Sequence, residues 1–205
     1  MINDLPKKIN IGCGFDKRPG FLNVDMDPNC KPDLLITDNN FSQLPRKFFN
    51  HLIAYDVLEH IHRSETVNAL LEWSDLMTIG AHIEVETSNV LAIVDLMRED
   101  QSFLNHWKCS IFMYGNQAHD GDYHHTGFTE VTLRTYLAAA GFQVDELIHH
   151  LDWIILVHGR KVEDWSALAD QSSDISDHDF VVAAYEQALA RLIHRVGPRG
   201  LAGVA

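Results

Sequence analysis

Basic residues are few in this 205-residue chain: 16 Lys and Arg stand against 29 Asp and Glu, for a formal charge of −13. Surfaces that track nucleic-acid phosphates are built from Lys and Arg, so this balance argues against DNA or large RNA as a partner. Cysteine is scarce too. Cys13, Cys30 and Cys109 are odd in number, widely spaced and without a CxxC, which suits reduced thiols in a cytoplasmic protein better than a disulfide framework. No apolar run approaches membrane-spanning length, and the opening MINDLPKK lacks the apolar core of a signal peptide, so no membrane insertion is expected. Walker A is missing, since Gly-Lys-Ser/Thr occurs nowhere. The dinucleotide fingerprint is incomplete as well, because Lys17 stands where its third glycine belongs.

What is present centres on KINIGCGFDKRPGFLNVDMDP, Lys8 to Pro28. Ile9 and Ile11 alternate with polar residues as in a short strand, which runs into Gly12-Cys13-Gly14. Glycine at such a turn permits positive φ and lets a ligand lie against bare backbone amides. A second strand, Phe21 to Val24, ends on Asp25. A glycine turn after one strand and a carboxylate at the tip of the next form a site for an adenosine ribose. Asp25 comes roughly half as far along as the ribose acid of dinucleotide proteins, which lies about 20 residues on. A site without phosphate-cradling parts suits a cofactor without phosphates. Cys13 within the turn is expected to be a small residue that fits rather than a reactive thiol.

The blocks NIGCG, GFLNVDMDP and YDVLEHI together resemble the class I S-adenosylmethionine (SAM) dependent methyltransferases. More narrowly they resemble a branch of small methyltransferases of type 11 with a shortened first crossover, and the likeness runs from about Lys8 to Lys161. It implies a Rossmann-like α/β fold: a mostly parallel sheet of about seven strands, one of them antiparallel, with helices on both faces. It implies SAM as cofactor, held by Gly12, Cys13, Gly14, Asp25 and Met26, with Asp56 and Val57 flanking it. Asp38, or Asn39 beside it, would meet the adenine amino group, unless the pair forms only an Asx turn. Glu59 and His60 would face the substrate, or else cap the next helix and pack beneath the pocket floor. Methyl transfer to oxygen or nitrogen of a small molecule is the implied activity, and the family's association with envelope polysaccharide genes leans toward a sugar.

Along the rest of the chain the short link from Cys13 to Gly20 leaves room for a turn in place of the first helix. Asp33–Ile36 and Asn50–Tyr55 read as the third and fourth strands. Ser64 is a candidate N-cap for a helix with Val67, Leu70, Leu71 and Met77 on its apolar face and Gly80 as its stop. A fifth strand carries Ile83 and Val85 and ends near Asn89, which either caps the next helix (Val90 to about Glu99) or touches the acceptor. Thr129 caps a helix bearing Leu133, Tyr136, Leu137 and Ala140, and two closing strands cover 142–148 and 152–159. Residues 1–161 form the methyltransferase domain and 162–178 an acidic linker. Residues 179–196 read as an amphipathic helix that packs on the domain or forms a homodimer contact, and 197–205 as a tail.

His119, Asp120, Asp122, His124 and His125 fall within seven residues. They read as a metal site, as a turn-rich surface loop, or as acceptor-binding residues that remove a proton. The last reading is preferred, with His125 ahead of His124 as base, Tyr123 orienting the acceptor, and no metal. Two rival functions stay open: a SAM-binding regulator without catalysis, and a metal-dependent hydrolase built on the histidines.

Overall fold

The computed structural model describes residues 5–37 and 40–164. Asp38 and Asn39, the helix expected over 179–196, the tail and nearly all of the linker lie outside the described residues. Seven strands form one sheet: β1 (Lys8–Ile11), β2 (Leu22–Asp25), β3 (Leu34–Leu35), β4 (Phe49–Tyr55), β5 (Met77–Ser88), β6 (Phe142–His150) and β7 (Ile154–Lys161). Their order is β3-β2-β1-β4-β5-β7-β6. All pairs are parallel except those of β7, which runs antiparallel to both β5 and β6. The chain steps outward from β1 to β2 and β3, then returns to β4 on β1's other side. The switch point therefore lies between β1 and β4, where open α/β sheets bind ligands beyond the carboxyl ends of their strands.

Helices α1 (Thr66–Leu76), α2 (Val90–Glu99), α3 (Phe103–Tyr114) and α4 (Glu130–Ala139) complete the described architecture. Ile9, Ile11, Val24, Leu52, Ala54, Ile83 and Val85 share one sheet face and are buried in the same core as Leu70 and Trp73 of α1 and Leu133 and Leu137 of α4. Period-two alternation sends Asn10, His51, Tyr55, Glu84 and Glu86 to the other face. There Glu84 bonds both the His51 ring, at 2.7 Å, and the Tyr55 hydroxyl, while Arg18 lies over the Tyr55 ring at 4.6 Å. Arg18 belongs to the abbreviated first crossover, which carries no helix, as the sequence led one to expect.

Strand ends shift by one or two residues, and both expected ends of the first helix move. α1 starts at Thr66 after Glu65 rather than at a Ser64 cap, and it runs straight into β5 at Met77. Gly80 (φ 82°) does not stop the helix; it sits inside β5, near where the pairing with β4 is irregular between Phe49 and His51. The helix end is held from a distance instead. Lys161 Nζ, brought in by β7 and almost fully buried, donates to Ser74 O at 2.7 Å and Met77 O at 3.0 Å. A buried ammonium thus reinforces the helix C-terminus, where Ser74 O also accepts from Met77 N. Asn89 caps α2, accepting from Leu91 N and Ala92 N, and Thr129 caps α4 in a reciprocal pair with Thr132. α3 was not anticipated as a helix.

Candidate active site at the carboxyl edge of the sheet

The glycine turn follows directly from β1. Gly12 and Gly14 both take positive φ, 62° and 49°, a backbone region that L residues pay strain to enter. Gly12 is doubly constrained, because a Cβ there would overlap Val57 Cγ2; nothing lies within 4 Å of one at Gly14. The first glycine therefore lets the turn close against β4's tip, and the second leaves a bare surface. Asp25 ties the turn to β2: its Oδ2 accepts from Gly14 N at 2.6 Å and its Oδ1 from Asp27 N at 2.9 Å. Cys13 is buried, and burial, followed by the nearby Asp25 charge, pushes its thiol up to about 11. It is a packing residue. Met26, next along from Asp25, is exposed.

Beyond β4 the chain turns sharply. Asp56 has φ 52°, unusual for a residue with a side chain, and its N–H donates to Glu86 O at 3.1 Å. A single 3-10 turn, Leu58–His60, follows. The Glu59 side chain is buried: it is 1 % exposed, with Oε1 accepting from Ser88 N at 3.3 Å and Oε2 unpartnered. Its place in the sequence suggested a pocket side chain, but the turn points the carboxyl into the protein. Burial, then the neighbouring Asp56 charge, pushes its pKa up to about 8. Glu59's carbonyl oxygen faces the other way and accepts from His125 N at 2.7 Å and Thr126 N at 3.1 Å. The histidine segment, far away in sequence, is thereby pinned to the tip of β4.

His60, Tyr123, His124 and His125 do come together. His60 Nδ1 bonds Tyr123 O at 3.1 Å, and the rings of His60 and His124 meet edge to face at 4.8 Å. His125 is exposed and stacks on His62 at 4.0 Å, a partner that sequence reasoning missed. His124 is half-buried with its Nδ1 enclosed and unpartnered. Burial lowers the pKa of both His60 and His124, so both rings favour the neutral form. His119 stands apart, paired with Asp122 at 3.2 Å on the surface. Among the described residues no three His, Cys, Asp or Glu side chains converge to hold a metal ion.

Glu86 and His150 are the other residues that the sequence did not flag. They pair at 2.9 Å. Burial, then the Asp56 charge, raises the Glu86 pKa, and burial raises that of Asp56 itself. Crowded, partly desolvated acids at one strand edge are relieved by a cation. A cavity of about 470 Å³ lies at the opposite edge, among the starts of β1, β4 and β5 (Lys8, Asn50, His51, Ile79, His82), remote from all of this.

No protein-family model matches this chain, and no curated protein does. Solved structures do. The chain is similar to a Burkholderia thailandensis 1,6-didemethyltoxoflavin-N1-methyltransferase with bound 1,6-didemethyltoxoflavin and S-adenosylhomocysteine, at 15% identity and TM-score 0.52, covering 76% of this chain and 71% of that one. It is similar to a SAM-dependent methyltransferase from Methanosarcina mazei at 12% identity and TM-score 0.55, covering 76% and 92%. A third, from Mesorhizobium loti, gives 15% identity and TM-score 0.52 over 75% and 89%. Together with the strand order and the glycine turn at its switch point, these likenesses give the chain the fold of the class I SAM-dependent methyltransferases.

Proposed function

We propose that this protein transfers the methyl group of SAM to an oxygen or nitrogen of a small molecule. One observation carries the reading: the glycine turn and the Asp25 carboxylate meet at the sheet's switch point, joined at 2.6 Å through Gly14 N. The residues fit the cofactor. Gly12 and Gly14 leave backbone bare where a nucleoside would lie, and Asp25 keeps lone pairs for ribose hydroxyls. Asp56 and Glu86 form an acidic rim suited to a ligand carrying an ammonium and a sulfonium. Asp38 and Asn39 are assigned to the adenine by resemblance alone. SAM, when bound, supplies an electrophilic methyl group.

The chain's own residues would then align the acceptor and remove its proton. His125 is the base we favour, since its ring is open to solvent while His124 Nδ1 is enclosed. Tyr123 and His60 would orient the acceptor. Glu59 acts through its backbone carbonyl, holding His125 in place. The cytoplasm suits the three free cysteines.

Calorimetry with SAM and S-adenosylhomocysteine, on the parent and on a Gly12→Val/Asp25→Ala variant, tests the donor site. Micromolar binding lost in the variant is expected, and equal binding by both proteins would sink the assignment. Binding without any release of S-adenosylhomocysteine from acceptor pools would mark a regulator instead.

A further inference from the structure

α3 carries an apolar stripe. Phe103, Leu104, Trp107, Ile111 and Tyr114 recur at three- and four-residue spacings and so share one stripe. Among the described residues nothing covers that stripe: Phe103 is 84 % exposed, Leu104 58 %, Trp107 54 % and Tyr114 54 %. The inward side carries the buried Cys109 and the partly buried Phe112 and Met113, and its Asn105 and His106 grip α2. Asn105 Nδ2 donates to Leu96 O and Asp100 O, both at 2.8 Å, and the His106 ring bonds Met97 O at 3.0 Å. Water would normally select the reverse arrangement, and an apolar surface of this extent marks an interaction site.

The stripe leads to the histidines. Tyr114 O accepts from His124 N at 3.2 Å, and a Cβ on Gly115 would overlap the Asp122 carbonyl, so the end of α3 lies directly on the acceptor segment. Tyr123, itself well exposed, adjoins His124. On the opposite flank Phe112 stacks on Trp153 at 4.1 Å, fixing the helix to the β6–β7 turn. From Phe103 to Tyr114 the helix offers a track of about 16 Å.

What covers it follows from size and charge. The four most exposed side chains present roughly 500 Å². A stable protein interface needs about 800 Å² per partner, so the stripe is small for a second copy of the chain. The whole chain carries −13, which repels an anionic lipid surface. A single apolar tail or ring system fits both limits. We propose that the methyl acceptor is amphiphilic: its hydroxyl or amine reaches His125 while an extended apolar portion lies along α3. This rests on the methyl-transfer reading and names the substrate class for that site.

The test uses the full chain and calorimetry with n-dodecyl β-D-glucopyranoside below its micelle concentration, with methyl β-D-glucopyranoside as the tail-less control. Saturable binding of the dodecyl compound only is expected, weakened at least tenfold by Phe103→Ser/Trp107→Ser. Both positions are exposed, and unchanged S-adenosylhomocysteine binding would confirm that the variant is folded. Equal binding of both glucosides, or no effect of the variant, overturns the proposal. So does sedimentation showing a parent dimer that the variant dissolves, or flotation with phosphatidylcholine vesicles without binding of the monomeric amphiphile. Loss of S-adenosylhomocysteine binding in the parent would instead refute the methyl-transfer reading, and the glucoside pair would still decide what the stripe binds.

Discussion

Gly12 is held by two independent constraints, a left-handed φ of 62° and the Val57 side chain against its Cα. Gly12→Ala should cost ~1–3 kcal/mol from backbone strain alone and weaken S-adenosylhomocysteine binding. Adding Val57→Ala restores space but not φ, so thermal melts should show partial rescue. Glu59 makes a prediction of opposite sign. Its folded pKa of about 8 lies above the ordinary carboxyl value, so the folded state holds a proton that the unfolded chain gives up. Its contribution is complete below about pH 4.5 and is lost as pH rises through about 8. Glu59→Gln stays neutral and can still accept from Ser88 N. It should match the parent in melts at pH 5 and exceed it at pH 8.5; an equal Tm difference at both values would show that Glu59 is ionised throughout. For His125, substitution by Ala should lower kcat by ~10²–10⁴ while leaving S-adenosylhomocysteine affinity within twofold.

At the scale of elements, the end of α1 depends on a residue more than 80 positions downstream. Lys161 satisfies Ser74 O and Met77 O from within the core. Lys161→Ala removes a buried donor from both carbonyls, of which Ser74 O keeps only the Met77 N–H, and should destabilise the protein by ~1–3 kcal/mol in urea unfolding, far more than alanine at an exposed lysine such as Lys108. An unchanged midpoint would mean that water replaces the ammonium. Helix periodicity recovered α2 and α4 because each has a capping residue and one buried stripe. α3 carried the same signals, a Ser102 cap and apolar residues at helical spacing, so its existence was legible locally; what no spacing encodes is that its apolar stripe faces out. Gly80 misled for a related reason: positive φ serves an irregular strand as well as a helix stop.

For the molecule as a whole, a ligand that binds only the folded state stabilises it by mass action. S-adenosylhomocysteine at about a hundred times its Kd should add ~2.7 kcal/mol and raise Tm by roughly 5–10 °C. A flat melting profile across that titration would remove the cofactor assignment whatever the fold. No helix of the first crossover covers the sheet face around Glu84, His51 and Tyr55, so Arg18 and its neighbours form part of the architecture there.

Local chemistry alone determined the strand–glycine–strand–acid unit, most strand positions and the caps at Asn89 and Thr129, because each depends on residues a few positions apart. The tertiary structure decided which way side chains point once distant segments meet. It turned Glu59 inward, joined residues 59–60 to 123–126, paired Glu86 with His150, and put an apolar helix face in water beside the histidines. The His60–Tyr123 and Glu86–His150 contacts span 63 and 64 residues, set by how the sheet closes, and no local spacing encodes them.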